Sequence, residues 1–295
     1  MNNHPDIQLE PVMISKQSQF RDIAVRLFRN KSAVIGLAII LLFAVFALFP
    51  EQIAPYGYDD QNLSEQFIAP GAAHWFGTDD YGRDIFSRVV YGSRISLSIG
   101  LISITFSCII GVLIGCIAGY YGSVLDNTLM RLMDIMLAMP SILLAIAIVT
   151  AMGIGFRNLI IAIGVSAIPQ YARIVRASVL SLKDQEFIEA ARCIGASDWR
   201  IIGKHILPNC LAPIIVQATM NIAIAILSAA SLSFIGLGIT PPTPEWGAML
   251  SAGRAYLRNH WFIVTFPGVA IMLSVFAFNM FGDGLRDALD PKLKR

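Results

Sequence analysis

Charged residues are scarce in this 295-residue chain. Asp, Glu, Lys and Arg make up 14% of it, against about 25% in an ordinary soluble domain. Hydrophobic residues make up 56%, and the mean hydropathy is +0.65. The composition therefore predicts that lipid is the solvent for much of the chain. The net charge of +2 is too small to indicate a nucleic-acid partner.

Cysteine is scarce as well. None of the four cysteines shows CxxC spacing, which argues against a zinc site, and their placement suggests no disulfide framework. We interpret them as ordinary buried or cytosolic thiols. They are Cys108, Cys116, Cys193 and Cys210.

Motifs for nucleotide binding and hydrolysis are missing from the sequence. The one Gly-Lys pair, Gly203-Lys204, is followed by His205, and Asp198 stands where a P-loop needs its first glycine. Neither a Gly-x-Ser-x-Gly elbow nor an H-E-x-x-H zinc motif occurs. We expect no catalytic residue and no cofactor in this chain, so any ATP and magnesium would be bound by partner subunits.

Three aspartates, Asp79, Asp80 and Asp84, crowd one stretch together with Arg83 and Arg88. Their spacing does not fit a calcium-binding loop. Arginines among the carboxylates favour a structural network over a metal site, and we predict such a network.

Six apolar runs are long enough, or nearly so, for spanning helices, which need about 20 residues each. No run carries an ionisable residue near its middle, whereas proton- and sodium-coupled transporters usually keep such groups inside the bundle. Energy for uphill transport is therefore expected to enter from outside the membrane. The runs are 32–49, 95–121, 135–156, 158–172 (extendable to 180), 213–237 and 261–281.

Lys and Arg in the connections set the orientation. With the N-terminus in the cytoplasm, 16 of the 22 fall inside. The sequence thus predicts an all-α membrane protein with six spans and both termini inside. The 31-residue polar lead is long for a signal peptide, so we expect the first span to be uncleaved. Apolar positions Phe20, Ile23, Ala24, Leu27 and Phe28 predict an interfacial helix before it.

Glycines recur four residues apart in the second run, at Gly111, Gly115 and Gly119. This spacing favours a close contact with another helix.

The largest predicted cytoplasmic connection carries a helix, a turn and a second helix. Gly195 is placed to end the first helix with a left-handed turn, Ser197 to cap the second, and Pro208 to break or kink the chain on its return. Such a compact helix–turn–helix projection suits insertion into a groove of a partner protein. Packing of this connection against other helices of the same chain explains its composition equally well.

The same loop carries a recognisable signature. Glu189-Ala190-Ala191 is followed by Gly195-Ala196 and by Ile206-Leu207-Pro208. This spacing resembles the EAA motif of binding-protein-dependent ABC importer permeases. Segments 75–88, 229–238, 241–247 and 282–291 resemble the dipeptide, oligopeptide, glutathione and nickel group of these permeases. The similarity covers roughly residues 20–295 and is closest to the "C"-type subunit.

The resemblance implies a type I ABC importer permease and its organisation. Residues 1–31 would be a cytoplasmic segment with the interfacial helix, 32–93 the first span and outer loop, 94–284 a five-helix core, and 285–295 a cytoplasmic tail. A coupling loop, 181–208, would lie within the core. The EAA residues named above would couple the spans to the ATPase.

Implied partners are a homologous permease in a heterodimer, two ABC ATPase subunits, an extracytoplasmic solute-binding protein and the lipid bilayer. The implied activity is ATP-driven import of small peptides across the inner membrane, with import of nickel or another solute by the same mechanism as the alternative. A secondary transporter and a membrane enzyme or structural assembly protein are the competing classes. The uncharged spans and the missing catalytic set argue against them.

Overall fold

The computed structural model describes the backbone of residues 16–289 and the side chains of residues 21–289. Residues 1–15 and most of the predicted tail 285–295 lie outside this range. Over the described residues the chain is helices joined by loops, which confirms the all-α prediction. The helices are α1 Lys16–Arg29, α2 Lys31–Leu48, α3 Pro50–Ile53, α4 Ile85–Tyr121, α5 Ser123–Leu137, α6 Ser141–Met152, α7 Phe156–Leu182, α8 Glu186–Cys193, α9 Asp198–Ile201, α10 Leu207–Phe234, α11 Trp246–Gly253 and α12 Phe262–Leu289.

Five helical stretches of the described chain are long and apolar enough to cross a bilayer. They are α2, α4, α7, the continuous stretch Asp198–Phe234 that contains α9 and α10, and α12. Each overlaps one of the predicted runs over most of its length. The extended form of the fourth run is confirmed, since α7 continues to Leu182.

The third predicted span, 135–156, is wrong as a single helix. It is divided between α5 and α6, which meet at an angle of 90°. Pro140 has no N–H to donate and disfavours helical geometry at the preceding residue, so the chain turns there. Because α6 has 12 residues and is only about 18 Å long, it cannot span alone. Residues 16–289 contain six spans if the bent pair counts as one, and five otherwise.

Helices α4 and α7 pack most closely at the three glycines of α4. A Cβ atom on Gly115 would lie 2.6 Å from the Ala172 carbonyl oxygen and 2.8 Å from the Val175 Cβ. Gly111 lies against Tyr171 and Gly119 against Val179. The predicted contact is therefore confirmed, with α7 as the partner helix.

Two ion pairs hold α5 against α7. The Arg176 guanidinium donates to both carboxylate oxygens of Asp126, at 2.5 and 2.6 Å. Arg173 donates to Asp134 at 2.6 Å. The second pair is half exposed, so its contribution is small. The first is bidentate and better buried, and it fixes the start of α5.

The predicted N-terminal amphipathic helix is present as α1. The side chain of Asn30 separates it from α2 by accepting from the backbone N–H groups of Ser32 and Ala33, at 3.0 and 3.3 Å. Ala33 then packs directly on Gly284, which joins α2 to α12.

We predict that Gly115→Ala destabilises the protein by roughly 1–3 kcal/mol, because overpacking forces the α4 and α7 backbones apart. Thermal unfolding of the purified protein in detergent measures the change. Gly268→Ala is the matched control, since its nearest neighbour would be at an ordinary 3.7 Å. Equal stability of the two variants would contradict the close contact.

Candidate coupling surface

Residues 186–206, here called the coupling module, project from one end of the bundle, where α7 ends and α10 begins. In α8 the side chains of Ile188 and Ala191 are buried, and Glu189 and Ala190 are exposed. This alternation follows from the helical period, which places residues three apart on one face. One face of α8 therefore packs against the bundle, and the opposite face is exposed to solvent.

Gly195 ends α8 with two backbone hydrogen bonds. Its N–H donates to the Arg192 carbonyl at 2.9 Å, and the Ala196 N–H donates to the Ala191 carbonyl at 3.1 Å. This is the Schellman arrangement, which needs a left-handed residue, and Gly195 has φ +79°. The spacing from Ala191 to Gly195 in the motif is therefore explained by helix termination.

Helix α9 is tied to the end of α4. The Tyr120 hydroxyl donates to the Asp198 carboxylate at 2.7 Å, and the Arg192 guanidinium lies 5.5 Å from the centre of the Tyr120 ring. Ser197 occupies the predicted N-cap position, but its side chain makes no capping hydrogen bond. The tyrosine was not predicted, because nothing in the sequence pairs it with a residue 78 positions away.

The prediction that Pro208 breaks or kinks the chain is wrong in its position. Pro208 lies near the start of α10, within the continuous helical stretch Asp198–Phe234, so the chain does not break there. The irregularity comes before it, in a π turn at Ile202–Ile206 whose end is closed by a bond from the Leu207 N–H to the Ile202 carbonyl. This wider turn carries the chain into α10 without a break.

A cluster of fully buried side chains forms the base of the module. Ile188, Ile201 and Ile206 each have 0% exposed surface, and they pack with residues at the ends of three spanning helices. Those residues are Cys116 of α4, Val175 and Val179 of α7, and Cys210 and Ile214 of α10. The module is thereby fixed to the spans by apolar packing.

The opposite side of the module presents apolar side chains to solvent. Ile194 is 84% exposed and Trp199 67% exposed, and Phe187 is exposed as well. Large apolar groups held in water on a firmly packed base are typical of an interaction site.

The eight predicted coupling residues divide between these two sides. Ala191 and Ile206 are buried in the base, and Ala196 and Leu207 are partly buried. Glu189, Ala190, Gly195 and Pro208 are exposed. The structure thus places six of them in the module and the other two, Leu207 and Pro208, directly after it at the start of α10, and it gives the eight different surroundings.

At the other end of the bundle the predicted carboxylate–arginine network is present. Asp79 accepts from the backbone N–H groups of Tyr81 and Arg83, at 2.9 and 3.0 Å, and from the Arg83 Nε at 2.7 Å. Arg88 donates to the carbonyl of Tyr58 at 2.7 Å, which ties α4 to the preceding loop. Asp79 thus holds an arginine and a turn together, and we expect it to be structural.

Asp84 and Glu245 begin helices in the same region. Asp84 caps α4 through the Ser87 N–H at 2.7 Å and also contacts His74 Nδ1 at 2.9 Å. Glu245 caps α11 by accepting from two backbone N–H groups. The next residue, Trp246, is fully buried and donates from Nε1 to the Val89 carbonyl at 3.0 Å. Helix capping and loop packing thus account for both carboxylates.

Two family models match successive parts of the chain. Residues 18–70 match the N-terminal TM domain of oligopeptide transport permease C. Residues 111–295, more than half of the chain, match the binding-protein-dependent transport system inner membrane component. The chain belongs to this family. It is therefore a multi-pass inner-membrane transport component, which confirms the resemblance seen in the sequence.

Several curated relatives of this inner-membrane component are similar over nearly its whole length. The dipeptide transport system permease protein DppC of Alkalihalophilus pseudofirmus is 51% identical, over 94% of this chain and 91% of the relative. The di/tripeptide transport system permease protein DppC of Pseudomonas aeruginosa is 47% identical, over 90% and 89%. The glutathione transport system permease protein GsiD of Pectobacterium atrosepticum is 45% identical, over 95% and 93%.

Solved structures support the fold of the inner-membrane component. Inward-facing MetNI, a methionine ABC transporter, matches with a TM-score of 0.57 over 70% of this chain and 98% of that chain, at 22% identity. At this identity the likeness shows the fold alone. The predicted type I ABC permease architecture agrees with it.

We predict that Asp79→Asn lowers the free energy of unfolding of the inner-membrane component by roughly 3 kcal/mol, because it leaves buried Arg83 with less compensation. Asp80→Asn is the matched control. Burial, and then the Asp79 charge, raise the pKa of Asp80, so loss of its charge costs little. Thermal unfolding of both variants near neutral pH tests this, and an equal loss of stability would contradict the network.

Proposed function

We propose that this chain is the membrane-spanning permease subunit of an ATP-driven importer of small peptides. The coupling module carries the proposal, since it exposes apolar side chains on a base fixed to three spans. The names of the curated relatives support a peptide substrate. Import of a nickel chelate or another solute by the same mechanism is the alternative from sequence.

The module is proposed to dock into a groove of an ABC ATPase subunit. The positive-inside distribution of Lys and Arg supports a cytoplasmic position for it. Docking would cover Ile194 and Trp199, and the packed base would pass movement of the ATPase to α4, α7 and α10. The buried EAA residues would thus fix the module to the spans, and the exposed ones would contact the ATPase.

The proposed assembly pairs this chain with a homologous permease in a heterodimer. Two ATPase subunits bind ATP and magnesium below it, and an extracytoplasmic binding protein delivers the peptide. Under this proposal the chain has no ATPase site of its own, because its one Gly-Lys pair lies in the coupling module and lacks the P-loop spacing. ATP binding and hydrolysis drive alternation between outward- and inward-open states.

Purification of the chain in mild detergent tests the assembly directly. Mass spectrometry is expected to identify a second permease and Walker-motif ATPases, and the complex is expected to hydrolyse ATP. Peptide uptake by proteoliposomes should depend on ATP and on the binding protein. Recovery of the chain alone, without ATPase activity, or uptake that follows a proton gradient, would overturn the proposal.

Gly195→Pro is expected to abolish uptake while leaving membrane insertion normal. Proline cannot adopt the left-handed φ and has no N–H for the Arg192 carbonyl. Gly195→Ala should have a smaller effect, since the strain costs about 1 kcal/mol. Gly203→Ala is the control, because Gly203 has open space around it and no positive φ. Normal uptake by Gly195→Pro would remove the coupling assignment.

Ile194→Asp is expected to weaken binding of the ATPase about tenfold or more, because burial of this side chain contributes about 1.5–3 kcal/mol. ATPase recovered per permease in a pull-down measures the effect. Leu257→Asp introduces the same charge at an exposed site (53%) between α11 and α12, outside the coupling module. Equal recovery with both variants would place the docking surface elsewhere.

A further inference from the structure

Side-chain amides meet at the middle of the bundle. Gln170 lies near the centre of α7 and Asn221 near the centre of α10. The Asn221 amide nitrogen donates to the Gln170 amide oxygen at 3.3 Å. Gln217, one turn earlier on α10, donates to the Asn221 oxygen at 3.0 Å. Among residues 21–289 these bonds leave the Gln170 nitrogen without an acceptor.

Gln170 and Asn221 line a recess that is polar but uncharged. Its volume is about 30 Å³, room for one or two water molecules. It is therefore part of a wall, not a pocket that encloses a peptide. Three serines complete its polar lining: Ser141 of α6, Ser166 of α7 and Ser228 of α10.

Contact of this polar face with lipid is energetically unfavourable, since an amide without a hydrogen-bond partner in hydrocarbon costs several kcal/mol. Gln217, Asn221 and Ser228 are spaced by four and seven residues, so they lie on one face of α10. Asn221 is 2% exposed, whereas Gln170 is exposed. A polar partner or water must therefore cover the recess.

We propose that this recess is one wall of the translocation path and that it binds the main chain of the transported peptide. The inference rests on the proposed peptide import. An amide side chain offers both a donor and an acceptor, as a peptide group does. Every peptide carries these main-chain groups, and an uncharged wall does not discriminate between acidic and basic peptide side chains.

The test compares a tripeptide with its backbone N-methylated analogue, in proteoliposomes holding the full complex. The binding protein is saturated with either peptide, and uptake per ATP hydrolysed is measured. The wild-type complex is expected to favour the unmodified peptide by roughly 2- to 10-fold, the range for one lost hydrogen bond. Gln170→Leu is expected to bring this ratio close to one.

Thr219→Val is the matched control. Thr219 lies on a different face of α10, and its hydroxyl donates to the Ile215 carbonyl of its own helix at 2.9 Å. The control removes a polar group from the same helix, so its ratio should stay at the wild-type value. Ser166→Ala, a smaller change in the recess, provides a second test if Gln170→Leu does not assemble, and it should lower the ratio.

The possible outcomes separate the two proposals. If Gln170→Leu and Ser166→Ala keep the wild-type ratio, the recess only packs against another subunit and this inference is overturned. If the wild-type complex shows no ATP-dependent uptake of any peptide, the proposed function itself fails. A lowered ratio in both recess variants, with ATP hydrolysis retained, supports main-chain binding.

Discussion

The close approach of α4 and α7 is the constraint on which the rest of the structure depends. Three glycines leave no side chain between the two helices, so the backbone of one packs against the other from Tyr171 to Val179. Dispersion contacts at this separation supply the stability that the hydrophobic effect cannot supply in lipid. The pair forms a rigid unit around which α5, α10 and the coupling module are placed.

This unit connects the two proposed sites, the coupling module and the amide recess. Val179, at the base of the module, is nine residues from Gln170 in α7, a separation of about 14 Å along the helix axis. Both α7 and α10 contribute to the base and to the amide recess. Movement of the module would therefore shift both walls of the recess at once, with no need for a chain of separate contacts.

Much of this arrangement can be predicted from the sequence, because it depends on patterns of neighbouring residues. Long apolar runs predict the spans, and the glycine spacing predicts a close helix contact. The turn after α8 follows from Gly195 alone. These features each depend on residues within a few positions of one another.

Features that depend on distant residues could not be predicted in the same way. The bend at Pro140 has a local cause in the proline itself, but hydropathy alone does not register it, because the residues on both sides are apolar. The π turn before α10 places Ile202 and Ile206 in the buried base of the module. Contacts such as Tyr120 with Asp198, or Gln170 with Asn221, join helices whose relative rotation the sequence pattern leaves open.

The exposure of Ile194 and Trp199 has a consequence for the life of the protein in the cell. A copy without an ATPase would keep these side chains in contact with the cytosol. Exposed apolar surface of this kind promotes aggregation and attracts chaperones and proteases. Surplus permease would then be cleared faster than assembled permease, so the proposed docking surface would also help set subunit stoichiometry.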